Sequence, residues 1–226
     1  MSTINLISFA VSPLIIAFLV FYLKIKFSVQ SFENIRNAVL WGMIAVVLIT
    51  VTNYLIDLWW HDNLRNMRRM SFFVFVGVAF SSEFAKFLIL RFAFYKLKTF
   101  EGPLEGILYS IFISLGFSTV ASVLYAYGII GTEVKFNDMT LFLFTYPIAS
   151  IVFGIVLGFF IGMGKLRKNW LIDNSTGLFA ATFFHGLFYF CFITADKRLL
   201  LFTTIGFLII TFTLIYKAVN LRAEKD

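Results

Sequence analysis

The chain has 226 residues, of which 60% are apolar and only 14% charged, with 31 phenylalanines and a mean hydropathy of +0.90. A soluble core of this size cannot hide that much apolar surface, because much of any small domain must face water; a water-soluble domain is excluded and lipid is the natural solvent. The formal charge of +7 would suggest nucleic acid in a soluble protein, but here the basic residues sit in short loops between apolar runs, where they set orientation, so no nucleic-acid partner is expected.

A spanning helix needs about 20 apolar residues, and the chain offers seven such runs, at 5–23, 38–60, 71–95, 104–130, 140–164, 174–194 and 199–217. The first has no basic residue ahead of it; Lys24 and Lys26 follow it, the reverse of a cleavable signal peptide, so it reads as a retained span. Trp41, Trp59, Trp60 and Trp170 fall near span ends, where an indole ring can sit half in lipid and half among headgroups. The third run holds Glu83 and Lys86. In the fourth, Ser110, Ser114, Ser118 and Ser122 recur every four residues as a narrow polar stripe, read first as a helix contact with hydroxyls bonded back to the backbone and second as a cavity wall. In the fifth, Gly154, Gly158 and Gly162 form a groove in which another helix can approach closely. The sixth holds His185 and the single cysteine, Cys191, which excludes an intramolecular disulfide.

Assigning loops alternately places Lys24, Lys26, Arg36, Lys96, Lys98, Lys165, Arg167, Lys168, Lys217, Arg222 and Lys225 on one side. Arg65, Arg68, Arg69, Lys135, Lys197 and Arg198 fall on the other. By the positive-inside rule the N-terminus is outside and the C-terminus cytoplasmic. The fold expected is an all-α, polytopic bundle of about seven transmembrane helices, one integral membrane domain over residues 1–226, multi-pass in a bacterial-type cell membrane.

An ionisable side chain at mid-membrane costs about 2.5–3.5 kcal/mol on insertion scales, which makes each one a functional candidate. Glu83 lies near the middle of the third span between Phe80 and Phe84, and Lys86 follows at i+3 on the same helical face. The pair reads either as a structural ion pair or as a general base with a cation that sets its charge state. His185 lies mid-span in ATFFHGLFYF. A carboxylate and an imidazole in the same slab of membrane are the commonest acid–base groups, and each strengthens the functional reading of the other. Asp57, Glu105, Arg91 and His61 sit near span ends or loops, where they can reach water. A zinc site wants three protein ligands and an open position; within the spans only Glu83 and His185 are good donors, because Cys191 points to another face of its helix. Neither HExxH nor GxSxG is present, and the last span has no central lysine for a retinal.

Three segments in order resemble the PrsW-type intramembrane proteases, relatives of the CAAX-processing and bacteriocin-processing membrane proteases. SSEFAK places Glu83 on the second glutamate and Lys86 on the lysine of the family's EExxK, with Ser82 in place of the first glutamate. EGILYSIFISLGFSTVAS supplies Glu105, Gly106, Tyr109, Gly116 and Phe117 in the family's order, with Ala121 and Ser122 where a Glu-Asn pair is expected. HGLF matches the late histidine motif at His185. The resemblance covers roughly residues 71–195.

What it implies is an endopeptidase, glutamic or metal-assisted, that cuts in or beside the transmembrane segment of another membrane protein. Glu83 would deprotonate water, His185 would stabilise the oxyanion or protonate the leaving amine, Lys86 would keep Glu83 ionised, and Ser122 would donate a hydrogen bond in place of the family's Asn. No cofactor is expected, with zinc left open. Two other readings stand beside it: an inactive relative that binds membrane segments, and a small transporter with Glu83 as proton site.

Overall fold

A computed structural model describes residues 3–26, 32–60, 66–131, 136, 138–167, 169–194 and 196–224. Every regular element among them is helical, as lipid demands, since a helix satisfies its own backbone where no water can. A short α1 (Thr3–Ser8) leads into α2 (Val11–Lys26) and α3 (Phe32–Trp60). The third span, Met67–Phe94, contains α4 (Met67–Phe72) and α5 (Ser81–Ile89), with wide-turn helix at Phe73–Phe80 and Leu90–Phe94. Then come α6 (Pro103–Ala126), α7 (Met139–Arg167), α8 (Trp170–Thr194) and α9 (Lys197–Ala223). Seven of these stretches are long and apolar enough to cross a membrane, as expected.

Local sequence sets several ends. Pro103 opens α6, where its missing N–H costs nothing. Asp196 caps α9, its carboxylate accepting from the amides of Arg198 and Leu199. The sixth span begins at Trp170 rather than 174, which brings Asp173 into the first turn of α8, where a carboxylate suits the helix N-terminus. The second begins at Phe32 rather than 38, with Glu33 in its first turn. His61 and the loop cations Arg65, Lys135, Lys168 and Lys225 lie outside the described residues, as do the side chains of Trp59 and Trp60.

Helix α6 runs through the middle, and missing side chains set its two closest contacts. Towards α3, a Cβ on Gly42 would fall on the Ile113 carbonyl and one on Gly116 on the Val39 carbonyl. Towards α7, Gly106 and Gly158 face each other's carbonyls, Gly162 lies against Gly102 and Pro103, and Gly154 lies against Ser110 and Ser114. The glycine groove of the fifth span is therefore filled by this chain's own α6, through van der Waals contact that only small residues permit. The serine stripe divides: Ser110 and Ser114 meet α7, while Ser118 bonds back to the Leu115 carbonyl and meets Ser12 of α2 at 2.9 Å. Burial grades outward, with 72% of the fifth span enclosed against 11% of the first and 17% of the last. Any special chemistry thus sits among the third, fourth, fifth and sixth spans.

Candidate active site

Glu83 and Lys86 lie on α5, one helical turn apart, and the i+3 spacing lets the ammonium fold back onto the carboxylate: Lys86 Nζ donates to Glu83 Oε1 at 2.6 Å. Glu83 is fully buried and Lys86 1% exposed. On either side of α5 the backbone widens to i→i+5 bonding, with Ser81 N–H reaching the Val76 carbonyl and Tyr95 N–H the Leu90 carbonyl. Such widening changes which face later residues present and recurs at functional sites. The Lys86 ammonium also lies 5.4 Å from the Phe117 ring of α6 and 5.7 Å from the Phe153 ring of α7, favourable cation–π distances.

His185 comes from α8 and meets the same carboxylate oxygen, Nδ1 to Glu83 Oε1 at 2.8 Å. Facing a carboxylate, Nδ1 carries the proton and donates. The ring is fully buried and held flat against Phe153, centroids 4.7 Å apart at 12°, with the Tyr146 ring at 5.9 Å. One carboxylate, one ammonium and a neutral imidazole sum to no net charge, the arrangement that lipid tolerates best. Two buried atoms of the cluster have no hydrogen-bond partner among the described residues, Glu83 Oε2 and His185 Nε2. Both are basic atoms that can accept a proton.

The structure therefore brings Glu83, Lys86 and His185 together. It places Ser122 on α6, buried, with a hydroxyl that bonds neither Glu83 nor His185. Ser82 donates to its own helix at the Val78 carbonyl, 2.6 Å away, and Ala121 is buried in the apolar core. Glu105 meets Arg222 of α9 at 3.1 Å, Arg91 lies over Tyr95, and Cys191 meets Thr203; none of these reaches the cluster. Sequence reasoning missed Tyr146 and Ser150 of α7, both buried, with hydroxyls that have no hydrogen-bond partner among the described residues. It also missed the buried Asp173, whose carboxylate lies 3.9 Å from Arg167. A tyrosine and a serine at i and i+4 carry no signal in a sequence so rich in aromatics.

A polytopic helical bundle with a carboxylate and an imidazole joined at mid-membrane has the make-up of an intramembrane acid–base enzyme. The chain belongs to the PrsW family: the model described as "PrsW family intramembrane metalloprotease" matches residues 31–217, which extends beyond the 71–195 that carry the recognisable motifs. It is similar to Protease PrsW of Oceanobacillus iheyensis, 26% identical over 83% of this chain and 82% of that one. The Bacillus subtilis Protease PrsW is 28% identical over 82% and 81% of the two chains. That of Halalkalibacterium halodurans is 24% identical over 98% and 99%. No solved structure matches.

The family description implies a metal. Glu83 Oε2 and His185 Nε2 would offer two donor atoms, but among the described residues no three His, Cys, Asp or Glu side chains converge as a metal site. The carboxylate's other oxygen already faces an ammonium. The residues present do not fit the three-ligand centre that catalytic zinc uses.

Proposed function

We propose that this protein is an intramembrane endopeptidase that hydrolyses a peptide bond in or beside the transmembrane segment of another membrane protein, with Glu83 and His185 as its acid–base pair. The observation that carries the reading is the 2.8 Å contact between two fully buried groups from different spans, Glu83 Oε1 and His185 Nδ1. Membership of the family supports it. The Glu83–His185 pair removes a proton from water through Glu83 Oε2 or His185 Nε2, the hydroxide forms the new bond to the peptide carbonyl carbon, and the same proton returns to the departing nitrogen as the C–N bond breaks. Lys86 offsets the carboxylate's charge, so that the pair stays ionic in an apolar surround. The glycine groove that would have served the helix-binding reading is already filled by α6.

The test is to co-express single-span membrane proteins with the wild type, Glu83→Gln and His185→Ala, and to follow fragments by mass spectrometry. New fragments with the wild type alone are expected; identical patterns in all three would sink the reading.

The charge split further supports an outside N-terminus and a cytoplasmic C-terminus. Cys191 is buried, so cysteines introduced at loop positions can be read against a silent background with an impermeant maleimide. Labelling of position 98 from the outside of intact cells would reverse the assignment.

A further inference from the structure

Peptide hydrolysis puts negative charge on the carbonyl oxygen in the transition state, and a fixed hydrogen-bond donor there is worth much of the rate. Lys86 Nζ and His185 Nδ1 each give one N–H to Glu83 Oε1, which holds both groups against the carboxylate. Ser122, the donor expected from the sequence, is buried with a hydroxyl that has no partner among the described residues, and it is carried into the test below.

Helix α7 offers another. Tyr146, Ser150 and Phe153 follow one another at i, i+4 and i+7 and so share one face. That face is fixed against the pair by Phe153, stacked on His185 at 4.7 Å, and by the Tyr146 ring 5.9 Å from the same imidazole. Tyr146 is fully buried, and its hydroxyl has no hydrogen-bond partner among the described residues. Ser150 stands one turn along the same face, and its hydroxyl also bonds neither Glu83 nor His185. A phenol O–H held in this apolar interior can donate to a substrate carbonyl placed beside the pair. Among the described residues two other buried tyrosines have no partner, but Tyr189 points its hydroxyl at Gly131 in the turn after α6, and Tyr125 packs beside that same turn.

We propose that Tyr146 is a further catalytic residue, which donates its phenolic O–H to the carbonyl oxygen of the scissile peptide bond as charge develops there. The assignment rests on the Glu83–His185 reading.

The test uses purified full-length protein in detergent and a single-span peptide carrying a fluorophore and quencher, chosen as one the wild type cleaves. Tyr146→Phe keeps the ring and removes only the donor; its kcat is expected to fall about 10²–10³-fold, the usual cost of one oxyanion donor. KM should stay within about threefold, the mark of an interaction made only in the transition state. A peptide aldehyde of the same sequence, whose hydrate mimics the tetrahedral intermediate, should lose affinity by a similar factor. Tyr189→Phe should behave as wild type. Wild-type kcat in Tyr146→Phe overturns the proposal, as does a loss seen in Ser122→Ala but not in Tyr146→Phe. A fall in kcat with unchanged aldehyde affinity and a lowered melting temperature would make Tyr146 a structural residue and overturn it too. Cleavage by Glu83→Gln at the wild-type rate would instead remove the acid–base assignment, a separate result from any of these.

Discussion

His185 meets Glu83 through Nδ1 at 2.8 Å, across 102 residues of chain and between two different spans. The contact uses one oxygen of the carboxylate and one nitrogen of the ring, and among the described residues Glu83 Oε2 and His185 Nε2 have no protein partner. These are the two basic atoms through which the pair could take up and return a proton.

Glu83→Gln should separate stability from catalysis. The amide cannot take a proton from water, and it leaves the Lys86 ammonium buried without its counter-charge. Breaking a buried pair costs about 3–5 kcal/mol, so the single variant should lose both cleavage and thermal stability. In Glu83→Gln with Lys86→Met the charge is gone and the melting temperature in detergent should recover, while cleavage stays absent. Recovered cleavage in the double variant would refute Glu83 as the base.

His185→Phe keeps an aromatic ring against Phe153 and discards both nitrogens. The expected outcome is a folded, monodisperse protein whose cleavage rate is about 10²–10⁴-fold lower, the usual range for one acid–base group. Initial rates beside size-exclusion profiles check it, and near-normal turnover would confine His185 to packing.

Gly158 and Gly206 make a matched pair for the packing argument. A side chain at Gly158 would run into the backbone of Gly106, whereas among the described residues nothing lies within 4 Å of a Cβ at Gly206. Gly158→Leu should cost at least the ~1–3 kcal/mol of core overpacking, and more because backbone must give way. Gly206→Leu should leave the melting temperature unchanged. Equal stabilities would show that α6 and α7 do not meet as described.

The donor count bears on the metal. With Glu83 and His185 as the two donors at the cluster and no third converging among the described residues, purified protein should hold well below one equivalent of zinc by elemental analysis. Cleavage should persist within about twofold after treatment with a strong chelator, as expected of a site short of the usual three ligands. Stoichiometric zinc, lost together with activity, would show that a further ligand is recruited.

Much of the arrangement could be read from residue types alone. Seven apolar runs gave seven spans because lipid leaves a backbone little choice but helix. Glu83 and Lys86 could be paired from their spacing, since i and i+3 share a face wherever the helix lies. The four-residue repeat of Gly154, Gly158 and Gly162 announced close packing, although not that α6 would fill the groove. Span ends were less legible: Asp173 looked like a loop residue and lies buried in the first turn of α8, where the helix terminus accepts its charge.

By itself, then, the sequence determined the solvent, the number of spans and the short list of side chains that lipid does not excuse. Those follow from composition and from spacing along one helix, which are local quantities. Only the tertiary structure decided that His185 turns its ring onto the oxygen that Lys86 also holds, and that Tyr146 of α7 sets its ring 5.9 Å from that imidazole. Those relations depend on how four helices rotate and approach one another. Glycine contacts fix the closest approach of α6 to α7, and wide turns on both sides of α5 change the faces it presents. Neither has a one-dimensional signature.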